Sequence, residues 1–584
     1  MASLTMPTLS SNLAYSSSIA HFISLAKPTH PNRKTGPKLT CNSTKGDQNS
    51  SDHDTAGSKN GETSLLKLDR RNVLLGIGGG LYGASTFGGN PSAFAAPLSP
   101  TFTACHDATD PDCKEIDCCP PSATAADIPD FVPTAPSVIA TRPPAQLVDS
   151  TYLKKYKTAI EKMRNLSSDD PRSFTAQANV HCAYCNGGYY QDGYADSKLL
   201  LDVHNSWLFF PFHRWYLYFF EKICQNMVDD DTFALPFWNW DNPPGMFLPA
   251  IFKDSSSSLY DSLRNPSHLN TVLDLSYEGT DSTDSTITVI RNNLYLMYKQ
   301  MVTQSTTPLS FFGKAFRAGE TSDPGEGSIE TSPHTNVHRW TGDPNESHGE
   351  NMGSFYSAGR DPVFYSHHAN VDRMWSLWNS LGGQNFTDSD WLNSSFYFYN
   401  EQAKPVKVYV KDCLDTSVLG YTYQTVDIPW LNSKPSPRRT AIALPTAPTP
   451  SQVFPTTLEK AITVLVKRPK KKRTKKEKQR AEEVLEISGI QYNIGEFVKF
   501  DVYINEDTPD ESGPEKTELV GSFINVPHGH SMISTTTKSF AISEVLQELG
   551  ADEFESILVT LVPKSSTVTI SGVKIKFDNT KVSA

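Results

Sequence analysis

Between His204 and Glu221 the chain reads HNSWLFFPFHRWYLYFFE, a run that puts apolar side chains on nearly every face of any helix it forms. Such a helix is stable only when other elements surround it, so residues 205–228 belong at the centre of a helical bundle. Two histidines, His204 and His213, interrupt the run. Their spacing puts them about half a turn out of phase on one continuous helix. They converge only if the chain bends between them, and Pro211 supplies the break. As a first-turn residue it lets His213 open the long helix while His204 lies on the segment before it.

The flanking segments supply the rest of a bundle. Asp149 or Ser150 caps a helix in which Leu153, Tyr156, Ile160 and Met163 recur at helical spacing. Residues 287–304 and 361–380 are further helices, and the stretch after 380 is mixed and loop-rich. Residues 433–455 carry Pro among Ser and Thr, a linker composition. Beyond the linker, residues 462–466, 484–487, 497–504, 557–562 and 568–577 are β-rich runs spaced as in a small sandwich. The basic run 467–478 falls between the first two and reads as a solvated hairpin tip, because the net charge of −11 disfavours a nucleic-acid partner.

The remaining histidines turn the bundle into a metal site. His334 and His338 are four residues apart, about 40° on a helical wheel, so both can face one ion. Pro333 suits the start of that helix, and Gly342 ends it quickly. His181, on a cysteine-flanked loop, completes a first triple with His204 and His213. The adjacent His367 and His368 lie about 100° apart, so one of them completes the second, and helical periodicity does not choose between them. Three imidazoles per ion suit copper or zinc; a lone zinc site needs one triple, whereas an oxygen-bridging pair needs both. A mononuclear zinc hydrolase is the competing class. His528 and His530, in the β region, read as a loop pair without function. The fold expected is a mainly α catalytic domain, whose central bundle holds the metals, followed by a small all-β sandwich.

Residues 1–46 lack Asp and Glu and are rich in Ser and Thr, the composition of an organelle transit peptide, here assigned to 1–48. Arg70-Arg71, a short Gly-rich apolar stretch and Ala93-Phe94-Ala95 form a second export signal within 49–95. Two signals in series imply chloroplast import followed by twin-arginine transport to the thylakoid lumen, with the mature chain starting near Ala96. Processing peptidases are the implied partners. No run reaches the roughly 20 apolar residues of a membrane-spanning helix. Cys118 and Cys119 cannot easily pair with each other, so each is placed to bridge a distant partner and staple the loop-rich N-terminus to the body. The Cys182/Cys185 pair lacks the second C-x-x-C or βαβ pattern of a zinc or redox motif.

His181-Cys182-Ala183-Tyr184-Cys185, the run from His204, HTNVHRWTGD from His334 and FYSAGRDPVFYSHHANVDRMW from Phe355 together resemble the plant polyphenol oxidases, the catechol oxidases and tyrosinases with a dicopper centre. The likeness continues through Asp390-Trp391-Leu392, Tyr421-Thr422-Tyr423 and Lys499-Phe500-Asp501-Val502, and so covers the whole chain. It implies a catalytic domain over 96–380 completed by 381–432, a linker over 433–455 and a shielding domain over 456–584. It assigns one copper to His181, His204 and His213 and the other to His334, His338 and His368. It implies a thioether between Cys185 and His204, and disulfides Cys105–Cys119 and Cys118–Cys182, with Cys113 extra. Phe355 matches a bulky residue over the second copper, and Glu330 a carboxylate that holds water and can act as general base. Oxidation of o-diphenols to o-quinones with dioxygen is the implied reaction, latent until a protease or detergent displaces the shield. Thr335 stands where members with monophenol hydroxylase activity often carry Asn, and Arg339 is unusual, so the resemblance favours diphenols. Monophenol hydroxylation, flavonoid or chalcone oxidation, and oxygen carriage of the hemocyanin kind are the alternatives.

Overall fold

The helix Phe209–Val228 runs through the middle of the protein, with every side chain from Phe209 to Glu221 buried. The computed structural model describes residues 96–122, 128–438, 446–506, 513–529 and 532–579. The two targeting signals and part of the linker lie outside these residues. The central helix starts later than the expected 205 because Asn205 takes a left-handed conformation (φ 54°), which Asn tolerates better than most residues. Pro211 falls in its first turn, where a missing N–H costs nothing.

Around it pack Ser150–Arg164, Phe174–Cys185 and Val363–Ser380, while Thr286–Tyr298 lies further out, against Met246 and Val272. Asp149 caps the first of these, its side chain accepting from the Tyr152 N–H. A π-turn over Lys299–Thr303 extends Thr286–Tyr298 through most of the expected span. Residues after 380 return to the bundle as a hairpin, Ser395–Tyr399 against Pro405–Tyr409, and as Tyr421–Tyr423, which pairs in parallel with Ala140–Arg142.

A buried ion cluster locks this arrangement. Arg142 donates to Glu221 at 2.9 Å and to Asp372 at 3.4 Å, while Arg214 donates to the other Asp372 oxygen at 2.5 Å. The Tyr421 and Tyr423 hydroxyls complete the Asp372 shell, and the Arg142 guanidinium lies 3.7 Å from the Tyr421 ring centroid. Burial raises the cost of every charge here, but the two guanidiniums hold Asp372 below the ordinary carboxylate range. Glu221 and Asp372 belong to the central helix and to Val363–Ser380, so the cluster fixes one against the other.

The C-terminal part is the expected sandwich. One sheet is four-stranded, in the order Ile462–Lys467, Ser556–Pro563, Val498–Ile504, Leu519–Asn525. The other is built on the long strand Glu482–Asn493, flanked by Ile533–Ala541 and Gly572–Asp578. The strands Leu519–Asn525 and Ile533–Ala541 were not expected: Gly521 interrupts the first, and Ser and Thr dominate the second. The basic run is more than a hairpin tip. Lys475–Arg480 forms a short helix capped by a Thr474–Glu477 box, and Arg468 and Arg473 turn inward to Glu483 while the lysines face water.

The sandwich rests on the helical body through polar contacts. Gln304 and the backbone of Ala541 exchange two hydrogen bonds at 3.0 Å. Lys538 reaches Glu326 at 3.2 Å and also donates to Thr331. The Tyr492 hydroxyl donates to Asp323 at 2.7 Å. Each part keeps its own apolar core, and Val526 alone among the sandwich residues joins that of the helical body. Among the described residues no helix is long and apolar enough to cross a membrane.

Candidate metal centre

Two groups of buried side chains face one another in the bundle. His181, Cys185, His204 and His213 form one, His334, His338, His367 and His368 the other; within each, one potential ligand atom per residue lies within 4.8 Å of the rest. His181 comes from the helix Phe174–Cys185 and not from a loop. That helix is buried on nearly every face, which is why no amphipathic stripe announced it. His204 sits on the bend before the central helix and His213 in its second turn, the separation that Pro211 allows. His334 closes a π-turn that contains Pro333, and His338 lies on the following helix Thr335–Thr341.

Hydrogen bonds at the far side of four of these rings set the tautomer. The Nδ1–H groups of His181, His213, His334 and His338 donate to the carbonyls of Phe355, Phe209, Glu330 and Met352 at 2.9, 2.8, 3.1 and 2.7 Å. An imidazole that donates at Nδ1 keeps its lone pair on Nε2. The Nε2 atoms of His181, His204, His213 and His334 are buried without a partner, and those of His338 and His368 lie 3.3 Å apart. Burial, reinforced by neighbouring imidazoles, holds these rings below the ordinary histidine range, so they stay neutral. Orphaned lone pairs in a dry site are costly for a protein alone and suit soft or borderline cations. The donor set therefore fits a pair of copper ions.

The neighbours of the two adjacent histidines differ. The Trp240 indole N–H donates to Nδ1 of His367 at 3.1 Å. Indole is a donor only, so His367 accepts there and carries its proton on Nε2, which then has no lone pair for a metal. His368 has no such donor; its ring stacks on His213 at 4.1 Å and lies 4.2 Å from Phe364.

Phe355, expected over the second group, stacks instead on His204 of the first, with ring centroids 4.0 Å apart and planes 8° from parallel. It stands 5.9 Å from His338 and 6.3 Å from His334. Glu330 is buried between the groups; one oxygen accepts the Asn205 N–H at 2.7 Å and the other has no partner. Burial pushes its carboxyl well above the usual range. The Thr335 hydroxyl is engaged with the Glu330 carbonyl at 2.8 Å. Cys185 is a buried thiol, and disulfides join Cys105 to Cys119 and Cys118 to Cys182, tying the N-terminal segment to the helix of His181. Cys113 is also disulfide-bonded.

His528, read as a loop residue without function, does lie on a loop, but it is buried at the mouth of the site with its ring 5.4 Å from that of Phe355. His530 lies outside the described residues. Trp240 and Asn205 were also missed. None carries a spacing signal, because each acts through tertiary contact with a residue distant in the chain.

The sequence matches the common central domain of tyrosinase over residues 171–381, the polyphenol oxidase middle domain over 385–436 and the C-terminal domain of chloroplastic polyphenol oxidase over 454–577. The chloroplastic polyphenol oxidase of Malus domestica is 50% identical over 573 residues, covering 94% of each chain. The chloroplastic (+)-larreatricin hydroxylase of Larrea tridentata is 47% identical over 573 residues, covering 94% of this chain and 96% of the other. Among solved structures, latent apple tyrosinase aligns with a TM-score of 0.74 at 53% identity, over 77% of this chain and 100% of that one.

Proposed function

The chain belongs to the plant polyphenol oxidase family, and we propose that this copper oxidoreductase is a catechol oxidase, latent while its β domain is docked. The copper pair, when bound, supplies oxygen binding and accepts the electrons of the phenol. His181, His204 and His213 would hold one ion and His334, His338 and His368 the other. A thioether from Cys185 would restrain His204, the one ligand of the first set whose Nδ1 has no carbonyl partner. Phe355 and Phe364 wall the site with aromatic surface that excludes water and orients a phenol ring.

The observation that carries the reading is the facing pair of imidazole groups with unpartnered nitrogens. A preference for diphenols is supported by Thr335, whose hydroxyl gives its one proton to the Glu330 carbonyl and has none left to donate to a water beside the carboxyl. Glu330, whose pKa burial raises, would serve as base toward a phenolic proton only with a nearby cation to lower that pKa. Latency is supported by His528, set against Phe355 from the β domain. Location in the chloroplast follows from the relatives' names, and the lumen from Arg70-Arg71 and the alanines near Ala95.

Oxygen uptake by the full chain and by a chain cut within 433–455, with catechol and a matching monophenol, tests the whole. Rapid catechol uptake by the cut form alone, with little on the monophenol, is expected. Equal rates before and after cutting would end the latency reading, and equal use of both phenols would end the diphenol preference.

A further inference from the structure

A cavity of about 390 Å³ lies between the helical body and the β domain and ends at His204. Its walls carry three imidazoles and a thioether: Met532, His106, His528 and His204. They are graded by depth. Met532 is 45% exposed, His106 half-buried, His528 7% exposed and His204 2%. The tautomers are alike as well. His106 donates its Nδ1–H to the Asp107 carbonyl at 3.0 Å, and His528 donates to the Val526 carbonyl at 2.8 Å. Each therefore presents an Nε2 lone pair, and that of His106 is buried without a partner.

Tyr190, Leu200 and Ile494 supply aromatic and aliphatic wall. A passage for phenol alone would need nothing more, yet this one also offers soft and borderline donors, from the surface to the histidine of the site whose ring nitrogens both lack a partner. We propose that Met532, His106 and His528 form a relay by which cuprous ion enters the site and reaches His204. The ion passes from donor to donor with its charge unchanged, so no electron is exchanged along the way. Thioether and imidazole together favour Cu(I), and the absence of a tight chelate lets the ion move on. The inference rests on the dicopper reading, and it gives the β domain a role in assembly besides cover. His528 would thus be a guide to the metal and not solely an obstacle to the phenol.

The test is copper uptake by the full-length apoprotein, followed by the colour of a Cu(I)-chelating dye that gives up its metal. Met532→Leu and His528→Leu keep side-chain bulk and remove the donor. Cuprous uptake slowed by about tenfold, the scale on which a supporting metal contact matters, with the same final copper content, is expected. For Met532→Leu, loading from a cupric source should change little. Uptake at the wild-type rate or faster in both variants would overturn the relay, faster uptake marking His528 as a plain obstruction. Failure of the wild-type chain to take up two coppers would instead overturn the dicopper reading itself.

Discussion

Trp240 donates its indole N–H to Nδ1 of His367, and this one bond separates two adjacent histidines that helical geometry treats alike. His368→Ala should abolish oxidase activity and reduce bound copper from two ions to about one per chain, since a second site with two imidazoles binds far more weakly. His367→Gln offers Trp240 an acceptor and should keep both. Metal analysis of the two purified variants checks this, and a His367 variant that loses copper would reverse the assignment.

The ion cluster around Asp372 should be the most sensitive point of the bundle. Arg142→Met leaves Glu221 buried without its guanidinium, and removing one partner of such a cluster costs about 3–5 kcal/mol. Denaturant unfolding of the helical body should report a loss of that size. A change below ~1 kcal/mol, typical of an exposed pair, would show that the cluster is solvated.

Lys538→Met should loosen the β domain without weakening either core. In the docked protein it strands the buried Glu326 carboxylate, a penalty that disappears when the domain leaves and water reaches Glu326. The expected readout is a raised basal catechol rate in the uncut chain, with no change in the rate after cutting.

Docking should also depend on pH through Asp323. Burial raises its pKa from 3.8 to about 7 in the docked protein, against the opposing pull of the hydrogen bonds it accepts from Tyr492 and Ser534. The docked state therefore binds the proton more tightly than the free one. Its contribution is full below pH 3.8, falls as pH rises toward 7, and is gone above that. Asp323→Asn keeps the hydrogen bonds, tolerates the left-handed backbone (φ 67°) and cannot ionise. After linker cleavage, retention of the β domain should fall with pH more steeply in the wild type than in the variant. Parallel curves would remove Asp323 from the balance.

The histidines at 334 and 338 were legible because a fixed helical spacing points them the same way, and His204 and His213 because Pro211 marks where the helix must begin. The difference between His367 and His368 was not legible from periodicity, since it lies in an indole more than a hundred residues away. His181 was assigned to the right group but the wrong backbone, because a helix buried on all sides has no polar face to reveal it. His528 was set aside for a related reason. Its importance lies in where the β domain docks, and docking is written in Gln304, Lys538 and Asp323, ordinary polar residues until their partners are known. The strand Ile533–Ala541 hid behind its Ser and Thr, which face the helical body and solvent as much as a core.

The separateness of the two apolar cores has a consequence for how such a cover can come off. Parting the halves strips hydrogen bonds that water readily replaces and bares scattered apolar groups such as Val526, Phe497 and Phe355, while each core stays closed. Neither half need melt. Release of the β domain is closer to unbuttoning than to unfolding, so a single cut in a proline-rich strap can switch the protein while leaving two well-behaved pieces behind.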